Sequence, residues 1–151
     1  MKRLITLLLL LSMLNLALAD SKNSYDESAN ANEQIAAALK LAGETRKSAL
    51  IVFGANWCGD CKMLDTEMQL GELARLVNDR LVVVKVDVGR FDRNKDVTAR
   101  YGNVIKKGIP SIVLLRSDGT ITYQTDGGEL ADARKMGRDG LTHFFGAMLR
   151  K

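Results

Sequence analysis

Apolar residues fall along this chain in two rhythms, one with helical spacing and one in short unbroken runs. Asn30 or Asn32 can cap a helix reaching about Leu41 or Gly43, with Ile35, Leu39 and Ala42 on one face. Ser48 to Phe53 is a compact run rich in strand formers and predicts a buried strand. Next comes Gly54-Ala55-Asn56-Trp57-Cys58-Gly59-Asp60-Cys61. A helical pattern then opens with Met63, Leu64 and Met68 and continues through Leu70, Leu73 and Leu76. Leu81 to Val88 predicts a second buried strand, broken only by Lys85 and Asp87. Residues 92–101 predict a short surface helix ending at Gly102. Ile109 to Leu115 predicts a third strand, with Pro110 near its start. Ser117-Asp118-Gly119 is a hairpin signal, and Thr120 to Gln124 alternates as the partner strand. Gly127-Gly128 breaks the pattern. The remainder, to Lys151, reads as helical, with Leu141, Phe144, Phe145 and Met148 on one face.

The order is helix, strand, helix, strand, helix, strand, strand, helix. Alternation of strand and helix implies parallel pairing through crossovers, and the close pair near the end implies one antiparallel hairpin. The expected class is α/β, with a central mixed β-sheet flanked by helices on both faces.

The first residues stand apart from this pattern. Lys2 and Arg3 precede an apolar stretch that runs to Leu18, and Ala17-Leu18-Ala19 fits a signal peptidase site. Residues 1–19 are therefore expected to be a signal peptide cleaved after Ala19, which sends the chain to the periplasm or outside the cell. The alternative is an uncleaved N-terminal membrane anchor, for which the apolar stretch is short. Residues 20–30, rich in Asp, Ser and Asn, read as a flexible leader, and residues 31–151 as one domain. The formal charge of +4 includes Lys2 and Arg3, so part of the basic character belongs to the leader peptide. No basic stripe with interleaved aromatics suggests nucleic acid, and a monomer is expected. The hydrophobic share is 46% but aromatics are only 5%, so the core must rest on aliphatic side chains.

Chemistry concentrates in the two cysteines, Cys58 and Cys61, placed where a buried strand hands over to a helix. Unpaired N–H groups and the dipole at a helix start favour negative charge. A thiol there is expected to have a lowered pKa, and the spacing lets the two sulfurs bond to each other. A zinc site would need further ligands, but the chain offers no other cysteine and one histidine, His143. A structural staple would close too small a loop to constrain the unfolded chain much. A dithiol that attacks a disulfide and then resolves the mixed disulfide fits best.

Trp57-Cys58-Gly59-Asp60-Cys61-Lys62 resembles the Trp-Cys-Gly-x-Cys-Lys active site of the thioredoxin superfamily, and Gly108-Ile109-Pro110 resembles its Gly-Ile-Pro element. The resemblance covers roughly Ala49 to Leu149. It implies the thioredoxin fold and a thiol:disulfide oxidoreductase acting on protein disulfides without a cofactor or metal. Cys58 would be the attacking thiol and Cys61 the resolving one, joined by a redox disulfide in the oxidised form. Trp57 would flank the site, and Pro110 would follow a cis bond. The backbone of Ile109 would pair with an extended substrate. Lys85 matches a partly buried lysine of the family, or else is a strand lysine reaching solvent.

The chain departs from the family at Val52, where many thioredoxins carry a buried acid, and at Asp60, where they often carry proline. Asp60 could act as a base near Cys61, and its charge beside Cys58 should raise that thiol's pKa. A less stabilised thiolate makes a better reductant. The expected role is thus reductant or isomerase in an oxidising compartment, supplied with electrons by a membrane thiol:disulfide reductase. Alternatives are a redox-active chaperone or partner-binding module, and a haem-maturation thioreductase. Asp92-x-Asn94-x-Asp96 looks like the opening of a calcium loop but lacks its glycine and terminal glutamate, and reads as a solvated helix start. His143 reads as a packing or surface residue, and Met63, Met68, Met136 and Met148 as core fillers.

Overall fold

A computed structural model describes residues 23–150. The expected signal segment, 1–19, and residues 20–22 lie outside the described residues. Elements follow the order α1 (Ala31–Thr45), β1 (Ser48–Gly54), α2 (Gly59–Glu67), α3 (Gly71–Arg80), β2 (Leu81–Asp87), α4 (Lys95–Arg100), a 3-10 turn (Val104–Lys107), β3 (Ser111–Leu115), β4 (Ile121–Gln124) and α5 (Ala133–Met148). Asn30 is the cap of α1: its carboxamide oxygen accepts from the N–H groups of Asn32 and Glu33, at 3.1 and 3.3 Å.

The four strands lie in the order β2-β1-β3-β4. β1 and β2 are parallel, whereas β3 runs antiparallel to both β1 and β4. The sheet is mixed, as expected, but its parallel pairing stops at the first crossover. The chain between β2 and β3 is a short helix and a 3-10 turn, and it returns the strand in the opposite direction.

After Ser48, β1 carries no polar side chain and is buried, because both its faces are covered. Ala49, Ile51 and Phe53 point into one core with Ile35, Ala38 and Ala42 of α1. Leu50 and Val52 point into a second core with Leu64, Leu73, Val77, Leu141 and Phe145 of α2, α3 and α5. Helices thus flank both faces of the sheet.

Three local expectations change. The helical pattern after Cys61 is two helices: the first stops at Glu67, and the second opens at Gly71, whose φ of +57° redirects the chain between them. The terminal helix is kinked at Gly137, where φ is +62° and ψ is −176°. The leader is the third correction. Over residues 23–30 it is docked on the domain, because Tyr25 is 1% exposed and belongs to the α1-side core. A polar composition concealed one aromatic anchor.

Candidate active site

Cys58 ends the connection from β1 and serves as the cap of α2, with φ −80° and ψ 115°. Its sulfur takes the place of a capping oxygen: the Cys61 N–H points at Cys58 Sγ from 3.1 Å. That N–H is one of the orphan donors of the helix start, so it meets whatever charge the sulfur carries. Cys58 and Cys61 are joined by a disulfide, with Cα atoms 5.2 Å apart. Cys58 is 5% exposed and Cys61 fully buried. Attack from outside therefore reaches Cys58 first.

Ile109 and Pro110 lie across from the pair. Their peptide bond is cis, and the Ile109 carbonyl oxygen stands 3.6 Å from Cys58 Sγ. In the reduced protein that oxygen can accept from a Cys58 S–H but would repel a thiolate. It works against the helix start. Two backbone groups thus pull the Cys58 sulfur in opposite electrostatic directions.

Trp57 flanks the site rather than filling the core, being 49% exposed. Its indole N–H donates to the Gly89 carbonyl at 2.8 Å. Phe91 meets its edge at 6.1 Å, and the Arg90 guanidinium lies 5.9 Å from the ring centroid. The loop after β2 therefore clamps the indole, and Phe91 adopts a φ of +65° to do so while remaining largely exposed.

Gly59 and Asp60 form the first turn of α2 and face α5. Asp60 accepts from the Arg134 backbone N–H at 2.9 Å and from its guanidinium at 3.0 Å. Burial alone would raise the Asp60 carboxyl, but the hydrogen bonds and charge of Arg134 outweigh it and hold the group below its ordinary value. A carboxylate so occupied does not match the free base expected beside Cys61. The Arg134 guanidinium also lies over Gly59, 3.2 Å from where a Cβ there would stand.

Lys85 is opposite Val52 in the β1–β2 register. Its ammonium is ion-paired with Asp65 of α2, which also accepts from the Ser24 hydroxyl. Neither sequence alternative for Lys85 anticipated this. The carboxylate comes from the helix, one turn after Cys61, whereas Val52 on the strand is apolar and buried.

Sequence reasoning missed Tyr25, Asn56, Asp65, Phe91 and Arg134. Tyr25 and Asn56 are bonded to each other twice: the Tyr25 N–H donates to Asn56 Oδ1 at 3.0 Å, and Asn56 Nδ2 donates to the Tyr25 carbonyl at 2.8 Å. The one signal was an isolated tyrosine in an otherwise polar tract. Asp92, Asn94 and Asp96 hold no cation geometry. Asp92 accepts from the Arg90 N–H and Asn94 donates to the Asp87 carbonyl. Among the described residues no group of three His, Cys, Asp or Glu side chains is placed to hold a metal. His143 is exposed on α5, far along the chain from the cysteines.

The family profile described as Thioredoxin matches residues 24–135. Thioredoxin of Bacillus subtilis is 32% identical over 88 residues, covering 58% of this chain and 76% of that protein. Thioredoxin-T of Drosophila melanogaster is 39% identical over 75 residues, covering 50% of this chain. The chain spans only 43% of the length of that relative, and 60% of Thioredoxin-1 of Drosophila yakuba. Among solved structures, a disulphide isomerase from Xylella fastidiosa Temecula1 is 44% identical with a TM-score of 0.81, covering 90% of this chain and 98% of that one. The C-terminal domain of Neisseria meningitidis DsbD shares the fold, at 21% identity and a TM-score of 0.57, over 79% of this chain and 96% of its own.

Proposed function

We propose that this chain, which belongs to the thioredoxin family, is a thiol:disulfide oxidoreductase that reduces or isomerises protein disulfides in an oxidising compartment. The observation that carries the reading is the Cys58–Cys61 disulfide at the start of α2, with one sulfur nearer the surface and the other sealed beneath it. In the reducing direction the Cys58 thiolate attacks a substrate disulfide, forms a mixed disulfide and releases one substrate thiolate. Cys61 then attacks Cys58 Sγ, the intermolecular bond breaks, and the second substrate sulfur departs with the electron pair. Two electrons pass to the substrate, and the protein is left as the disulfide seen here.

Two features support the reducing or isomerising direction. The Ile109 carbonyl facing Cys58 Sγ opposes a stable thiolate, whereas strong oxidants owe their power to a stable reduced form. The similar Xylella fastidiosa structure is described as a disulphide isomerase. The charge of Asp60, which pointed the same way in the sequence, contributes less, because Arg134 offsets it. Sustained turnover then needs an electron donor, for which a membrane thiol:disulfide reductase is the suitable class. The leader peptide with its site after Ala19 supports export.

Insulin reduction by dithiothreitol tests the activity. The wild-type protein should accelerate it and Cys58→Ser should not; equal rates would overturn the enzymatic reading in favour of a binding module. Equilibration with glutathione tests the direction. A potential on the order of −200 mV or lower is expected, and one near −120 mV, where strong oxidases lie, would reverse it.

A further inference from the structure

Beneath the disulfide, Gly54 ends β1, and the space its missing side chain leaves is filled from two directions. A Cβ on Gly54 would overlap the hydroxyl end of Tyr25 and would lie 3.0 Å from Cys61 Sγ. The tyrosine hydroxyl and the resolving sulfur are therefore neighbours over one point of the strand. Tyr25 is 1% exposed and Cys61 is fully buried. Two hydrogen bonds tie the Tyr25 backbone to the side chain of Asn56, two residues before Cys58.

We propose that Tyr25 is a positioning residue of the redox centre, whose hydroxyl donates a hydrogen bond to the Cys61 sulfur when the disulfide is reduced. The inference rests on the oxidoreductase reading above and assigns that reaction a residue outside the cysteine motif. A disulfide sulfur is a weak acceptor. A thiol is a better one, and a thiolate better still, so the bond forms chiefly after reduction. Burial raises the Tyr25 hydroxyl well above its ordinary value, and the charges of Asp65 and Asp87 raise it further. The group stays protonated and acts as a donor, not as a base. Lys85 is paired with Asp65, and Arg93 with Asp87, so both acids keep their charge balanced while facing the ring.

The consequence falls on the resolving step. The Cys61 sulfur attacks Cys58 Sγ of the mixed disulfide, the bond from Cys58 to the substrate breaks, and the proton lost by Cys61 is balanced by the one the departing substrate thiolate takes up. An adjacent donor lowers the free energy of the Cys61 thiolate in an otherwise apolar setting. The same bond favours the reduced dithiol at equilibrium, so Tyr25 limits how strongly reducing the pair becomes.

Tyr25→Phe removes the hydroxyl and keeps the ring, and is the variant to test. The equilibrium constant with glutathione should shift about tenfold toward the protein disulfide, which is about 30 mV more reducing. Release of substrate from a preformed Cys58 mixed disulfide should slow by a similar factor. Gly54→Ala keeps the hydroxyl but displaces it, and should shift the equilibrium in the same direction. Thermal unfolding of the oxidised forms checks folding. Should Gly54→Ala fail to fold, Tyr25→Phe decides alone. A Tyr25→Phe protein within twofold of wild type in both equilibrium and release rate would overturn the proposal. Wild-type insulin reduction is measured alongside. If it is normal while Tyr25→Phe changes nothing, the positioning role fails and the enzymatic reading stands. If wild type does not turn over, the enzymatic reading fails, and the glutathione equilibrium still reports on Tyr25.

Discussion

Asp65→Asn isolates the ion pair that the structure builds where sequence comparison left a gap. The carboxylate holds the Lys85 ammonium and the Ser24 hydroxyl. Asparagine can still accept from Ser24 but leaves Lys85 without a counter-charge. The two side chains are only 26% and 13% exposed, for Lys85 and Asp65 respectively. The pair therefore lies between the exposed case, at roughly 0.2–1 kcal/mol, and the fully buried one, where removing one partner removes roughly 3–5 kcal/mol. A loss of about 2 kcal/mol is expected, lowering Tm by about 8 °C for a domain of this size. Lys85→Met should destabilise less, because Asp65 keeps its hydrogen bond from the Ser24 hydroxyl. The double variant should be more stable than the sum of the single losses predicts, by about 1 kcal/mol or more. Urea unfolding of the four oxidised proteins completes the cycle. Strictly additive losses would refute the argument and return Lys85 to the status of a strand lysine whose head merely reaches solvent.

Three further outcomes follow from the site. Arg134→Ala removes the cation that balances Asp60, so the Cys58 thiolate should be disfavoured and the glutathione equilibrium should move roughly twofold toward the disulfide; Asp60→Asn should move it the other way, and equal shifts of one sign would refute the assignment. The Asp60 carboxyl is held below its ordinary value in the folded protein by Arg134, so its stabilising contribution is full above the unfolded value and is lost as pH falls through the lower folded one. Wild type and Asp60→Asn should therefore differ in unfolding at neutral pH and converge in acid. Phe91→Ala removes the exposed ring beside Trp57; KM for a protein disulfide should rise about threefold to tenfold, while reduction of a small-molecule disulfide stays unchanged.

Much of this protein was determined by its sequence alone. Hydrophobic runs and turn residues placed the four strands, because burial and turn geometry are dictated locally. The cysteine pair and its place at a helix start were equally legible, since a strand running into Cys-x-x-Cys leaves the sulfurs few other positions. Only the tertiary structure decided what surrounds them. Asp60 read as a free acid beside the thiols until α5 brought Arg134 onto it from 74 positions away. Lys85 found its acid on α2, not on the neighbouring strand, because Val52 faces the second core. Tyr25 read as part of a flexible leader, since one aromatic among polar residues carries no periodicity. Its anchor is Asn56, 31 positions on, and its resting place is the space left by Gly54. Local patterns specify elements and a reactive motif. The electrostatics and hydrogen bonding around that motif come from residues distant in the chain, and packing alone selects which of them arrive.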